Sequence, residues 1–142
     1  MSISNSRVYF ALKGENFKPA EITVRLGIEP TTTWQKGDKG QYTSQLKFSS
    51  WQLETEEGKE PLWIDQLVTA VIAKLEDRAE TILQLKQEFG LESVLAIVLY
   101  VDVNEDESTP ALGHDLRTIN FLYRTQTRTD VDIYRYDSRG DE

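Results

Sequence analysis

Residues 91–103, LESVLAIVLYVDV, decide the fold class that the sequence predicts. Their centre, residues 94–101, is an uninterrupted run of eight apolar residues. A membrane-spanning helix needs about 20 such residues, so this run is too short to cross a bilayer. Its β-branched residues favour a strand. Because both faces of this strand are apolar, we expect it to lie centrally in a sheet and to be covered on at least one side.

Three other segments predict strands. Residues 7–13 and 130–136 alternate apolar and polar side chains. Residues 46–55 alternate over part of their length, and a change of phase at Ser49 and Ser50 indicates a bulge or a bend. Residues 31–43, which contain two glycines, predict a loop.

Three segments predict helices from their apolar spacing. Residues 19–26 begin with a proline in the first turn and precede Gly27, a residue typical of helix ends. A longer helix opens at Pro61, with apolar residues repeating at helical spacing up to Leu75. A break at residues 76–78 separates it from a second helix over residues 79–89, so that the two helices form a hairpin.

Residues 115–124 fit two interpretations. As a strand, the segment would alternate through Ile119, Phe121 and Tyr123. As a helix, it would have an apolar face made of Leu116, Ile119 and Leu122 or Tyr123. We prefer the helix, because it collects the apolar residues on one face and leaves Arg117 and Arg124 in water.

The predicted order of elements is therefore β-α-β-α-α-β-α-β. This order favours an α+β fold, a two-layer sandwich of one mainly antiparallel sheet with helices on one face. The order is ferredoxin-like with a helical-hairpin insertion. We expect one domain over residues 1–142, with residues 137–142 as a frayed tail.

The composition excludes several kinds of site. The chain has 142 residues, no cysteine and one histidine, His114, so it has no disulfides, thiol nucleophiles or multi-histidine metal centres. The amino terminus does not resemble a signal peptide. The sequence therefore predicts a soluble cytoplasmic protein without a cofactor, either a monomer or a homodimer.

Acidic charge is concentrated in the middle of the chain. Residues 51–107 carry 14 acidic and four basic side chains, a net charge of −10, against −8 for the whole chain. This distribution disfavours nucleic acid and anionic membranes as partners and permits a basic protein. The candidate partner-binding residues lie in two acidic loops and are Glu54, Glu56, Glu57, Glu60, Glu105, Asp106 and Glu107.

Aromatic residues suggest a second kind of site. Trp34 lies in a loop with Lys36 and Lys39, and the three could contact an anionic ligand. Trp51 lies in a predicted strand, where an aromatic side chain usually completes the core.

Two acidic motifs resemble chemical sites only in part. Asp102, Asn104 and Asp106 have the spacing that opens a calcium loop, but Glu107 and Gly113 occupy the positions that require glycine and glutamate. We therefore predict no metal site.

Asp130 and Asp132 share one face of the final predicted strand, and such a pair could serve a hydrolase as acid and base. Neither this pair nor His114 lies in a recognisable catalytic motif, so no catalytic residue is predicted.

Three stretches of the chain resemble the bacterial family known as domain of unknown function 4279. They are residues 9–31, YFALKGENFKPAEITVRLGIEPT, residues 49–55, SSWQLET, and residues 130–134, DVDIY. The resemblance extends from about Tyr9 to Tyr136 and rests on the order and spacing of Phe17, Pro19, Ile22, Gly27, Pro30, Ser49, Ser50, Trp51, Asp132, Ile133 and Tyr134. Lys18 stands where an acidic residue is expected.

The resemblance implies no established activity and no catalytic residues. It does imply a possible role as an immunity protein, since some similar proteins are presumed to neutralise bacterial toxins. The sequence favours a non-enzymatic protein-interaction module with a basic partner such as a toxin. A small-ligand-binding or regulatory domain is the alternative, and a carboxylate-dependent hydrolase ranks third.

Overall fold

The computed structural model describes residues 6–40, 45–55, 64–104, 106 and 112–139. The strands are β1 (Arg7–Gly14), β2 (Thr32–Trp34), β3 (Ser49–Glu54), β4 (Glu92–Asp102) and β5 (Arg128–Tyr136). The helices are α1 (Pro19–Leu26), α2 (Ile64–Leu75), α3 (Ala79–Phe89) and α4 (Leu116–Thr125). A 3₁₀ turn, Glu76–Arg78, separates α2 from α3.

The five strands form one sheet in the order β2-β3-β1-β4-β5. β1 is antiparallel to both β3 and β4, and β2 is antiparallel to β3. β5 runs parallel to β4, to which α4 connects it, because parallel neighbours require a crossover. The predicted α+β sandwich with a mainly antiparallel sheet is confirmed, whereas its ferredoxin-like detail is not.

Alternation along β1 assigns one face of the sheet to the helices. Val8, Phe10 and Leu12 are buried, and Phe10 lies opposite Leu53 on one side and Leu95 on the other. Residues directly opposite each other share a face, so the neighbouring strands bury theirs on the same side. The core continues into the helices through Ile22, Leu26, Val68, Ile72, Ile82, Leu85 and Phe121.

Trp51 is completely buried, as the sequence predicts for a core residue. Its indole Nε1–H donates a hydrogen bond of 3.0 Å to Thr23 Oγ1, so α1 supplies the acceptor that this buried donor needs. α1 ends at Gly27, whose φ of +71° lies in the left-handed region that glycine favours. Lys18 precedes the helix without a side-chain capping bond, as expected for a poor cap.

The amino-terminal loops differ from the prediction. Within the predicted loop over residues 31–43, β2 forms a short edge strand against β3. Thr31 explains this pairing: its main-chain N–H donates to Gln52 O at 2.8 Å and its hydroxyl accepts from Glu54 N–H at 2.6 Å. β3 begins only at Ser49, so the change of phase there marks the start of the strand. Pro61, the predicted start of the next helix, lies outside the described residues, and the structure describes this helix from Ile64 onward.

α4 confirms the helical interpretation of residues 115–124, but of the residues on the predicted apolar face only Leu122 is buried. The buried residues are Thr118, Phe121, Leu122 and Thr125, whereas Leu116, Ile119 and Tyr123 are exposed. Thr125 can be buried because its hydroxyl donates a hydrogen bond of 2.9 Å to Phe121 O. The same hydroxyl lies 2.6 Å from Thr127 Oγ1, and Thr127 Oγ1 lies 2.7 Å from Ser93 Oγ. Mutual hydrogen bonding thus offsets the cost of burying these hydroxyls.

Basic side chains form ion pairs or hydrogen bonds at both ends of α4. Near its start, the Arg117 guanidinium pairs with the Glu76 carboxylate, and this hydrogen bond lowers the pKa of Glu76. At its end, Lys86 Nζ of α3 donates to Thr125 O at 2.9 Å and to Gln126 O at 2.6 Å. These carbonyls have no partner within the helix, so Lys86 acts as its C-terminal cap.

The bond between Trp51 and Thr23 gives a stability prediction. Thr23→Val keeps the shape of the side chain but removes the acceptor, which leaves the indole N–H buried without a partner. We expect a loss of about 1–3 kcal/mol in the free energy of unfolding, measured by urea denaturation. Thr23→Ser keeps the hydroxyl and should lose less, and equal losses in the two variants would contradict this role of the bond.

Candidate functional site

The face of the sheet opposite the helices carries a group of aromatic and charged side chains, and we call this group the open face. Register explains the grouping: Tyr9 lies opposite Glu54 and Ala96, and Ala96 lies opposite Asp130. The open face comprises Arg7, Tyr9, Glu54, Tyr100, Asp130, Asp132 and Tyr134. It thus combines residues from β1, β3, β4 and β5.

Arg7 and Glu54 form a bidentate ion pair on the open face. Two parallel bonds, Nε to Oε2 and Nη2 to Oε1, each measure 3.1 Å. The Arg7 guanidinium also lies 5.0 Å from the centre of the Tyr9 ring, within the range of a cation–π contact. The hydrogen bond to Glu54 raises the pKa of Arg7. The charge of Arg7 is therefore balanced by Glu54 within the open face, and its guanidinium packs against the Tyr9 ring.

Asp130 and Asp132 are exposed, and neither forms a hydrogen bond or an ion pair with a residue in the described part of the chain. The negative charges of Asp130 and Asp132 also affect the pKa of Tyr9. Burial raises the pKa of the Tyr9 phenol, and the two carboxylates raise it further against the opposing effect of Arg7. This part of the open face therefore presents two carboxylates, without an ion-pair partner among the described residues, beside a half-buried aromatic ring.

Two more tyrosines extend the open face. The rings of Tyr100 and Tyr134 stack with centroids 5.1 Å apart and planes inclined by 21°, and Tyr134 is 52% exposed. Tyrosine side chains combine a large contact area with a hydrogen-bonding hydroxyl, and they are enriched at protein interfaces. The open face thus has the composition of a recognition surface.

The residues predicted to bind a ligand are only partly brought together. Trp34, half-buried at the end of β2, packs edge-on against Phe48 with ring centroids 5.5 Å apart. Phe48 lines a surface cavity of about 450 Å³ together with Lys13 and Glu15. Lys36 Nζ lies 3.7 Å from Glu15 Oε2.

Lys39 is exposed and forms no hydrogen bond or ion pair with these groups in the described part of the chain. The three predicted ligand-binding residues therefore do not form a single cluster.

The predicted acidic partner-binding loops are described only in part. Glu54 belongs to the open face, where it is paired with Arg7. Asp106 is exposed. The other predicted residues, Glu56, Glu57, Glu60, Glu105 and Glu107, lie outside the described residues.

Asp102 and Asn104, from the incomplete calcium motif, connect the ends of β4 and β5. Asp102 Oδ1 accepts main-chain N–H groups of Asn104 at 3.0 Å and Ser138 at 3.1 Å. Burial would raise the pKa of Asp102, but hydrogen bonds from Ser138 and Asn104 outweigh it and lower the value. Among the described residues, no group of three or more acidic or histidine side chains could hold a metal ion.

His114 lies at a pocket of about 300 Å³ between α2 and α4. Its Nε2 is 3.0 Å from Thr129 Oγ1 of β5. The helix cap is the next residue, Asp115, whose carboxylate accepts the Thr118 N–H at 2.8 Å. His114 therefore links the start of α4 to β5 and does not cap the helix.

Comparison with known proteins assigns the chain to a family. The family model described as Domain of unknown function (DUF4279) matches residues 4–136. The chain belongs to this family. No curated protein and no solved structure matches this DUF4279 domain. Within the described residues of the domain, no helix has the length and apolar character needed to cross a membrane.

Sequence reasoning identified only part of the open face. Alternation placed Asp130 and Asp132 on one face, and the same rule could have added Tyr134 from the same strand and joined Arg7 to Tyr9. It could not show that the aspartates of β5 lie near Tyr9 of β1. The two strands are separated by β4, and the register that aligns them is not visible in the sequence.

Tyr9 provides a test of the electrostatics of the open face. Asp130→Asn combined with Asp132→Asn should lower the pKa of Tyr9, because two charges that disfavour the phenolate are removed. The pKa can be followed by ¹³C NMR of the tyrosine Cζ atoms during an alkaline titration. Glu92→Gln, at the far end of the same face, should leave it unchanged. Identical titration of Tyr9 in the parent and the double variant would show that the carboxylates do not act on the phenol.

Proposed function

We propose that this DUF4279 domain acts in the cytoplasm as a protein-interaction module without catalytic activity, and that it binds a positively charged protein on the open face. The observation that carries the proposal is the exposed pair Asp130 and Asp132, which has no basic partner among the described residues. A basic toxin that is neutralised by binding is a partner of this kind, in line with the family resemblance.

The composition of the open face supports binding by a protein. Tyr9, Tyr100 and Tyr134 offer rings whose burial supplies affinity at a small cost in side-chain entropy. The two exposed carboxylates supply charge complementarity, which steers a cationic partner and selects against anionic ones. The net charge of −8 acts in the same direction at longer range.

The exposure of Asp130 and Asp132 supports recognition over hydrolysis. Catalytic carboxylate pairs depend on environments that separate the two pKa values, as when one group is buried in an apolar pocket. Both aspartates project from the open face of a sheet into solvent. A solvent-exposed carboxylate suits an ion pair with an incoming lysine or arginine.

Small-ligand binding near Trp34 is the second candidate function. Trp34 Nε1 is buried and has no hydrogen-bond acceptor among the described residues. Its neighbour Phe48 lines the cavity of about 450 Å³ that also contains Lys13. A ligand with an anionic group would pair with Lys13, which lines this cavity together with Glu15 and Glu92, or with Lys36, whose Nζ lies 3.7 Å from Glu15 Oε2 at its rim.

The main proposal predicts that the acidic pair controls affinity. We expect Asp130→Asn with Asp132→Asn to weaken binding about tenfold, or ~1.4 kcal/mol, because two charge-assisted contacts are lost. The immobilised parent chain would first capture proteins from its native cells. Each captured protein would then be purified, and its dissociation constant measured with parent and variant. The difference should shrink as salt is added.

The charge-matched control is Asp77→Asn with Glu80→Gln, which removes two exposed carboxylates on the helix side of the domain. This control should bind like the parent. If every captured protein binds the two double variants equally well, the open face is not the docking site and the proposal is wrong.

The second candidate predicts stabilisation by anionic small molecules. A ligand present at 100 times its dissociation constant should stabilise the parent by about 2.7 kcal/mol, seen as a higher melting temperature. Lys36→Ala should reduce this effect, and Lys74→Ala, an exposed lysine of α2, should not. A library of carboxylates and phosphates that leaves the melting temperature unchanged would remove the support for this function.

A further inference from the structure

Lys13 and Glu92 lie directly opposite each other in the sheet but form no ion pair with each other. Both line the cavity of about 450 Å³ beside Phe48, Lys13 from β1 and Glu92 from β4. Opposite charges at such positions, with Cβ atoms about 4.5–5.5 Å apart, stabilise a sheet when they pair. Lys13 Nζ instead lies 6.0 Å from the centre of the Phe48 ring, and Glu92 Oε1 lies 4.0 Å from Arg128 Nη2. The two charges are thus drawn apart.

The cavity therefore has a positive side and a negative side. Lys13 is half-buried, supplies the positive side and forms no ion pair with a residue in the described part of the chain. Glu92 supplies the negative side together with Gly90, the residue that follows α3. The carboxyl-terminal end of a helix carries partial negative charge, so α3 adds to the negative potential near Glu92.

The neighbouring ion pairs leave this polarity in place. Lys36 Nζ lies 3.7 Å from Glu15 Oε2, so the negative charge of Glu15 is balanced at the rim. Arg128 does not line the cavity, and its contact with Glu92 joins side chains that are 60% and 74% exposed. Exposed ion pairs of this length contribute little, so a ligand can compete for the Glu92 carboxylate.

We infer that this cavity binds a free α-amino acid with an apolar side chain, an inference that rests on the proposed small-ligand function and names its ligand. The carboxylate of the amino acid pairs with Lys13, its ammonium group pairs with Glu92, and its side chain packs on the Phe48 ring. One zwitterion thus bridges the two charges that do not pair directly. A volume of about 450 Å³ lies within the range of small-molecule sites.

The charge pattern selects a zwitterion over simpler ligands. A carboxylate without an amine would be attracted by Lys13 but repelled by Glu92, and an amine without a carboxylate would meet the reverse. An end of a peptide chain carries only one of the two charges. A free amino acid carries both, separated by a single carbon atom, beside an apolar side chain.

Three related molecules test this preference: L-phenylalanine, 3-phenylpropanoate, which lacks the ammonium group, and phenethylamine, which lacks the carboxylate. Each is titrated into the ¹⁵N-labelled parent chain, and the amide signals of Gly14 and Gly90, which line the cavity, report binding. We expect L-phenylalanine to shift both signals and to bind at least about fivefold more tightly than either analogue. The signal of Gly27, at the end of α1, should not move.

Two variants separate the contributions of the two charges. Glu92→Gln should weaken L-phenylalanine about fivefold without weakening 3-phenylpropanoate, because only the amino acid uses the negative side. Lys13→Gln should weaken both molecules, because both use the positive side. The matched controls, Glu80→Gln of α3 and Lys74→Gln of α2, remove exposed charges elsewhere and should bind like the parent.

Unmoved signals of Gly14 and Gly90 at millimolar L-phenylalanine overturn the inference, as do equal affinities in Glu92→Gln and Glu80→Gln. Binding of 3-phenylpropanoate as tight as that of L-phenylalanine rejects the zwitterion but leaves the proposed anionic ligand in place. A failure of the small-ligand function itself is distinguishable, because then no carboxylate or phosphate raises the melting temperature either. No residue of the open face is changed, so the outcome is independent of the proposed basic partner.

Discussion

The register of β1 is the constraint on which the rest of the structure depends. This strand pairs with β3 on one side and β4 on the other, and its alternation sends Val8, Phe10 and Leu12 into the helix layer. A slip of one residue would exchange these side chains with Arg7 and Tyr9. The same alternation therefore builds the core and, by exclusion, collects tyrosines and exposed carboxylates on the other face.

The sequence was sufficient for the elements whose burial follows a single period. The central strand, α1 and the α2–α3 hairpin were predictable because their apolar residues repeat at one spacing and proline or glycine marks several of their ends. β2 was missed because it is held by hydrogen bonds between Thr31 and β3 and not by apolar burial. The exposed face of α4 was predicted as its apolar face because the buried side includes two threonines; the Thr125 hydroxyl bonds to Phe121 O within the helix and to the Thr127 hydroxyl just after it.

The functional surfaces were less accessible to sequence reasoning, because each depends on contacts between distant segments. Asp130 and Asp132 could be placed on one face, but their proximity to Tyr9 depends on β4 lying between their strands. The exposed side of α4 was hidden for a related reason: Leu116, Ile119 and Tyr123 have the spacing of a core-facing stripe. Spacing shows that residues share a side of a helix, whereas only the packing of α3 against α4 decides which side is covered.

The pairing of β1 with β4 also affects how the chain can fold as it is synthesised. Val8 lies opposite Ile97, so the central pair of the sheet joins segments far apart in the sequence. Contacts of such separation form slowly, because a long loop must close first. On the ribosome, β1 emerges before β4, so its apolar residues lack this partner until β4 has been translated. Val8, Phe10 and Leu12 therefore stay without the β4 half of their packing during that interval, in which chaperones would protect the chain from aggregation.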